Sequence, residues 1–228
     1  SATTEALISG ADVDAAGAVT LESDNLSSVD AVVVSAALSG AFGSTGAISV
    51  AIAAAVATNI VGGATRSRIL DALVNTDANV DVLADSDAAI EAWGVAAALS
   101  VSGDGAFSVA GAAGAAEVTN TLTETVEARI ADADQASGQG VFAQTGIAVV
   151  ATESSELLTR SIAAALGIGV SGGAAVTVSM SVALAEANAS ATVLAAVDSS
   201  GVDTSAGDVT IHASNEAVVD TVGVSVAG

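Results

Sequence analysis

The chain has 228 residues, of which 52% are hydrophobic but only 2% aromatic, so any core must be built from Ala, Val, Ile and Leu. Its 26 acidic residues against four arginines give a net charge of −22, which argues against nucleic acid and anionic membrane surfaces as partners. The absence of cysteine excludes a disulfide framework and a thiolate metal site.

The first two predicted strands are short, and both recur along the chain. The first segment has copies that start at Thr4 ("TEALI"), Thr65 ("TRSRI") and Thr125 ("TVEARI"). The second, an alternating Val-x-Val segment, has copies that start at Gly17 ("GAVTLESD"), Ala78 ("ANVDVLAD"), Thr145 ("TGIAVVAT") and Gly207 ("GDVTIHAS"). Alternation with enrichment in β-branched residues predicts a strand at each copy.

The third and fourth predicted strands are longer, as in "VDAVVVSAALSG" (29–40) and "GAISVAIAAAVATN" (46–59), and Gly-rich tips join them. Within 46–59, large residues such as Ile52 alternate with small ones such as Ala53. We expect both faces to be removed from water, the large face filling a core and the small face allowing close contact between sheets. The apolar run 46–58 is too short for a helix that crosses a bilayer, which needs about 20 residues, so we expect a chain that is not membrane-embedded.

These four segments form one repeat. The lead residues of the Val-x-Val copies recur at intervals of about 61–67 residues; they are Val19, Val80, Ile147 and Val209. The spacing predicts one repeat array over 1–228, with approximate repeats 3–63, 64–124, 125–191 and a truncated 192–228. Six extra residues in the third copy predict a surface insertion in "ADADQASGQG" (131–140).

The predicted fold class is all-β, a parallel β-solenoid with large coils of about 61–68 residues. Stacking equivalent strands about 4.8 Å apart would place like positions in columns. One column would alternate charge through Glu5, Arg66 and Glu127, and another would form a side-chain ladder of Asn59, Asn120 and Asn188. Stacked layers of antiparallel β-hairpins are the alternative, since the connecting tips are short.

Chemical sites are sparse in this sequence. The single histidine, His212, lies on a Val-x-Val strand without a second metal ligand or a recognisable triad, so we expect a structural or solvated role. Acidic residues near turns are hard oxygen ligands and make candidates for calcium at Asp71, Asp77, Asp132 and Asp134. We expect no catalytic residues and no cofactor other than possible calcium.

With the repeat assembled, the sequence resembles the Ala/Val/Gly-rich β-strand repeat regions of large bacterial surface proteins, of the filamentous-haemagglutinin-like adhesin and autotransporter passenger type. The matching stretches are "GDVTIHASNEAVVDTVGVSVAG" (207–228), "VTNTLTETVEARI" (118–130) and the paired apolar blocks between them. The resemblance implies an extracellular or cell-surface, elongated and non-enzymatic scaffold.

The expected function is therefore mechanical: a fibre, sheath or adhesin stalk that polymerises or continues through open β-edges. Its expected partners are further copies or tandem repeats of the same chain. A calcium- or glycan-binding adhesive module that uses the acidic loops and 131–145 is the first alternative. A β-helix enzyme acting on polysaccharides is the second.

Overall fold

The computed structural model describes residues 2–133 and 140–228, and the regular secondary structure of these ranges is β-strand. The strands are β1 (Ala2–Ser9), β2 (Asp12–Ala15), β3 (Val19–Gly43), β4 (Ala47–Leu70), β5 (Leu73–Thr76), β6 (Asn79–Asp104), β7 (Phe107–Ala131), β8 (Val141–Ala143), β9 (Gly146–Ser171), β10 (Ala174–Asp198), β11 (Val202–Thr204) and β12 (Val209–Ala227). None of these residues belongs to a helix that could cross a membrane.

The strands form three parallel sheets, and the chain visits them in the same order in each coil. Sheet A has the order β1-β4-β7-β10, sheet B the order β2-β5-β8-β11 and sheet C the order β3-β6-β9-β12. The predicted parallel β-solenoid is thus confirmed. The antiparallel hairpin alternative is wrong, because the consecutive long strands β3 and β4 lie in different sheets and pair with the next coil instead.

Pairing joins equivalent residues of successive copies. In sheet C, Val19 pairs with Val80, Val80 with Ile147 and Ile147 with Val209. We call such a set of paired residues a column. The offset between paired residues is larger by six for β5 and β8 than for β4 and β7, which assigns six extra residues to the connection between β7 and β8. Of the predicted insertion there, residues 134–139 lie outside the described residues.

A tight connection at the tip of each coil sets the distance between sheets A and C. At one edge, β6 ends at Asp104 and β7 begins at Phe107, so two residues cross from one sheet to the other. The equivalent crossing after β9 uses Gly172 and Gly173; a Cβ on Gly173 would lie 2.4 Å from the carbonyl oxygen of Ala106 in the coil beside it. Only glycine fits such close stacking of backbones.

The interior changes character along the strands. Where sheet B separates the other two sheets, the core is built from large side chains, including Ile69, Ile130, Val80 and Ile147, all at most 2% exposed. Towards the two-residue tips, sheets A and C face each other through alanines: Ala51, Ala53, Ala55, Ala96, Ala98, Ala112, Ala116, Ala163 and Ala165. The cross-section is therefore thick at sheet B and thin at the tips.

The expectation that large side chains fill the core was wrong for the tip half of each coil. Ile48 and Ile52 point outward and are 69% and 70% exposed, whereas Ala51 and Ala53 point inward and are 4% and 2% exposed. The reason is the short connection, which holds the two sheets so close that only Ala, Ser and Gly fit between them. The large residues consequently cover the outer faces.

Candidate functional site

The two ends of the stack are the most extensive candidate site. Within residues 2–133 and 140–228, β3 pairs only with β6, and β12 pairs only with β9, so each leaves one edge of backbone N–H and C=O groups without a strand beside it. The same holds for β1 and β10 in sheet A and for β2 and β11 in sheet B. Such edges are templates for pairing with another strand.

The two ends also carry similar sequences on equivalent strands. Sheet C begins with Val19-Thr20-Leu21 and ends with Val209-Thr210-Ile211, which occupy the same columns. In sheet A, the inward column that starts at Ile8 runs through Ile69 and Ile130 to Val197. Each of these inward columns thus ends as it begins, with an apolar residue of similar size.

The asparagine ladder is shorter than predicted. Asn59 pairs with Asn120, and the Asn59 side-chain N–H donates to the Asn120 side-chain oxygen Oδ1 at 2.9 Å. Asn120 is fully buried and donates in turn to the Thr159 hydroxyl at 2.8 Å. Asn188 does not continue this ladder, since the residue paired with Asn120 is Ala187. One residue of offset turns Asn188 to the outer face, where it donates to Glu186.

The predicted charge column exists, but its ion pairs are partly diagonal. Glu5 pairs with Arg66 across the backbone, and Arg66 with Glu127. The Glu5 carboxylate nevertheless accepts from Arg68, and the Arg66 Nε lies 3.5 Å from Glu127. These partly exposed pairs add little stability, because exposed ion pairs contribute about 1 kcal/mol or less.

Two of the calcium candidates have a conformational role at a corner. Asp71 and Asp132 follow the sheet A strands and have φ angles of 46° and 51°, and their equivalents Gly10 and Ser199 have 57° and 45°. Aspartate tolerates this left-handed region better than most residues. Each corner stacks on the next through the backbone, as in Asp71 N–H to the Ala131 carbonyl at 3.0 Å.

Calcium binding at these positions stays a prediction. Asp77 lies at the next corner, where its N–H donates to the Ala15 carbonyl at 3.1 Å. Asp134 lies outside the described residues. Among residues 2–133 and 140–228, no three acidic or histidine side chains come together in a way that could hold a metal ion.

A buried pair of carboxylates between the sheets was not predicted. Glu124 on β7 and Glu153 on β9 are 3% and 2% exposed. Glu124 accepts from the Ser86 hydroxyl at 2.6 Å, across the gap between sheets A and C. Neither Glu153 oxygen has a hydrogen-bond partner among the described residues. The signal was present in the alternation, since Glu153 has the parity of the inward residues Val149 and Ala151.

Burial raises the pKa of Glu153 above its ordinary value of 4.5, and the negative charges of Glu124 and Asp87 raise it further, although nearby Ser155 acts in the opposite direction. The folded state therefore keeps the proton of Glu153 at a pH where the unfolded state has lost it. The stability that this group contributes is fully present below pH 4.5 and is lost as pH rises through the folded-state pKa.

We expect Glu153→Gln to remove this loss. The variant should equal wild type at acidic pH and become progressively more stable than wild type as pH rises, measured as the denaturant midpoint between about pH 4 and about pH 8. Glu156→Gln, which changes an exposed carboxylate on the same strand, is the matched control. A constant difference between Glu153→Gln and wild type over this range would contradict the assignment.

Comparison with known proteins leaves the chain without an assigned family: no family description, curated protein or solved structure matches it significantly.

Proposed function

We propose that this chain is an extracellular or cell-surface structural repeat protein, part of a fibre, sheath or adhesin stalk, and that it continues along the stack axis through its open edges. The observation that carries this proposal is the match between the two ends. Acidic residues on the exterior, with a net charge of −22, favour a solvated surface that keeps such an assembly dispersed.

The ends are stepped in a complementary way. Sheet A starts with β1, which pairs with β4 and so precedes the level of β3; sheet C finishes with β12, which pairs with β9 and so follows the level of β10. A second copy docked in register would place its β1 beside residues 191–198 of β10 and its β3 beside β12. Contact of unlike ends is heterologous, and with parallel strands it does not close, so it generates a filament.

Docking would also extend the interior columns. Val197, at the end of its column, would pack against Ile8 of the second copy, and Ile211 would pack against Leu21 of the second copy. Ile211 is 50% exposed in the single chain, whereas Val82 and Val149 in the same column are fully buried. Burying such apolar surface at each junction supplies the driving force, at about 25 cal/mol per Å².

Replacing Ile211 with lysine tests this junction. The new ammonium group would stay solvated in the single chain but would be buried without a partner after docking, which costs several kcal/mol. We expect Ile211→Lys to raise the dissociation constant for end-to-end association at least about tenfold, measured by sedimentation velocity over a concentration series and by electron microscopy of the particles.

His212→Lys is the matched control, because His212 is the neighbouring residue on β12 but belongs to the outer column of Glu22, Leu83 and Val150. This variant should associate at least as tightly as wild type, because docking would place Glu22 of the second copy beside the new lysine. Filaments of Ile211→Lys that match those of wild type, or a wild-type chain that stays monomeric at high concentration with no end-to-end contact, would overturn the proposal.

A further inference from the structure

The outer face of sheet C is apolar over the tip half of the strands. From the column of Val34 to that of Phe42, the outward side chains carry no charge and no hydrogen-bonding group: Val34, Val95, Ile162, Val224, Ala36, Ala97, Ala164, Val226, Leu38, Leu99, Leu166, Gly228, Gly40, Val101, Ile168, Phe42, Gly103 and Val170. Several are strongly exposed, including Val34 at 69%, Leu38 at 78% and Phe42 at 79%. We call this surface the apolar face.

A furrow crosses the apolar face parallel to the stack axis. Its floor is the column of Ala36, Ala97 and Ala164, and one wall is the column of Leu38, Leu99 and Leu166. The column of Val34, Val95 and Ile162 is the next outward column on the other side of the floor. The furrow has a volume of about 500 Å³ and is lined almost wholly by aliphatic groups. A ridge of leucines thus lies directly beside a furrow of alanines.

We propose that the apolar face is covered by the same face of a second copy, related by a two-fold axis parallel to the stack axis. This axis reverses the strand direction and, when placed between the two columns, sets each leucine ridge into the alanine furrow of the other copy. A two-fold axis along the strands would instead oppose like columns, leucine against leucine. Ridge and furrow therefore select the first arrangement.

The same axis sets positions equivalent to 34 over those equivalent to 40, and positions equivalent to 32 over those equivalent to 42. Gly40 leaves room for Val34. At the next two levels aliphatic side chains of similar size meet, Val95 against Val101 and Ile162 against Ile168. Trp93 would consequently face Gly103 of the second copy. Two contacts fix the orientation of the Trp93 ring. The Arg160 guanidinium stacks 4.5 Å from the ring centroid, and the indole N–H donates to Glu91 at 2.8 Å.

The face is large enough for a stable contact. Nine residues on each of β3, β6 and β9 and five at the end of the chain, at about 3.3 Å per residue and about 4.8 Å per strand, give about 510 Å² per copy, or about 1,000 Å² in total, which reaches the size expected of a specific interface. In a filament, this area grows with every added copy, because the axis runs parallel to the stack. The lateral contact does not require the end-to-end contact, and each has its own test.

Charge distribution allows a second copy at this face. The chain has a net charge of −22, yet residues 31–58 contain no charged side chain, so two copies can meet here without opposing carboxylates. The remaining long-range repulsion is screened by salt. We therefore expect lateral association to strengthen between about 20 mM and about 500 mM salt, opposite to binding through ion pairs.

Three variants on β6 test the ridge and the furrow. Ala97→Leu fills the furrow and Leu99→Ala removes the ridge, and each should raise the lateral dissociation constant about tenfold or more. The double variant Ala97→Leu/Leu99→Ala exchanges the two, restores the match across the axis and should recover much of the affinity. Sedimentation equilibrium gives the mass, and the emission of Trp93, the single tryptophan, should shift to shorter wavelength on association.

Ala113→Leu adds the same volume to the outer face of sheet A and should leave lateral association unchanged. Stronger association of Ala97→Leu would mean unspecific hydrophobic contact and would overturn the proposal, as would a double variant weaker than both single variants. Flotation with zwitterionic lipid vesicles by a chain that stays monomeric without them would overturn it too and assign the face to lipid.

Electron microscopy separates the lateral contact from the end-to-end contact. Ile211→Lys should leave side-by-side pairs, whereas Ala97→Leu should leave single filaments, so either proposal can fail alone.

Discussion

Replacing Ile130 with alanine is expected to lower the free energy of unfolding by about 2–5 kcal/mol. Ile130 is fully buried in the thick part of the interior, where it packs in a column with Ile69 and Val197. The substitution removes most of the side chain from a site that neighbouring coils hold on both sides, so the cavity cannot collapse easily. Equilibrium unfolding in urea, followed by circular dichroism, measures the loss.

The matched control is Ile52→Ala, which makes the same change on a side chain that is 70% exposed on the outer face of sheet A. Its cost should be about 1 kcal/mol or less, the range of strand propensity at exposed sites. Equal losses for the two variants would mean that Ile52 lies in a core. Such a result would restore the assignment of the large residues to the interior throughout the chain.

A single methyl group at Gly114 is expected to be nearly as damaging, with a loss of about 1–3 kcal/mol or more. Gly114 lies on β7 in the thin part of the interior, and a Cβ there would be 2.5 Å from the backbone carbonyl oxygen of Ala164 in sheet C. The obstacle is backbone, so no side-chain rotation relieves it. The two sheets would have to move apart against the short tips that tie them.

Gly111→Ala is the control on the same strand. A Cβ at Gly111 would meet Val50 at 3.7 Å, an ordinary contact on the outer face. Because alanine reduces the entropy of the unfolded chain, this variant should be neutral or more stable by about 0.4–1 kcal/mol. Thermal unfolding of both variants checks the contrast. A neutral Gly114→Ala would mean that the sheets are not in close contact.

The parallel stack and much of its register could be predicted from sequence. Val-x-Val copies indicate strands through alternation, and their spacing gives the offset that the pairs adopt, as between Val19 and Val80. The reason is that stacked coils place each residue on its equivalent, so the repeat in sequence is the register in space. Even the position of His212 beside Val150 follows from this rule.

The spacing of the repeats did not predict two features: which face of a long strand points inward, and where the asparagine ladder ends. Alternation of large and small residues shows that a strand has two different faces, but not which one is inside, so Ile52 and Ala53 were assigned to the wrong sides. The tip length decides this, since it sets the gap between sheets. The prediction that Asn188 continues the asparagine ladder was wrong for a different reason. Asn188 lies one position beyond Ala187, the residue that pairs with Asn120. Because successive side chains of a strand point to opposite faces, an offset of one residue places Asn188 on the outer face.

The distance in sequence between paired strands also bears on how the molecule forms. In the described parts of the chain, each strand hydrogen-bonds to its equivalent in the next coil, a whole repeat away. These strands include no hairpin of neighbouring strands that could form first. The first pair of coils must therefore close a loop as long as a whole repeat. Contact order this high implies slow nucleation, followed by quicker addition of coils onto an existing edge. In the proposed assembly, the end of a folded stack would therefore also be the template on which the next copy is ordered, and folding would be coupled to growth.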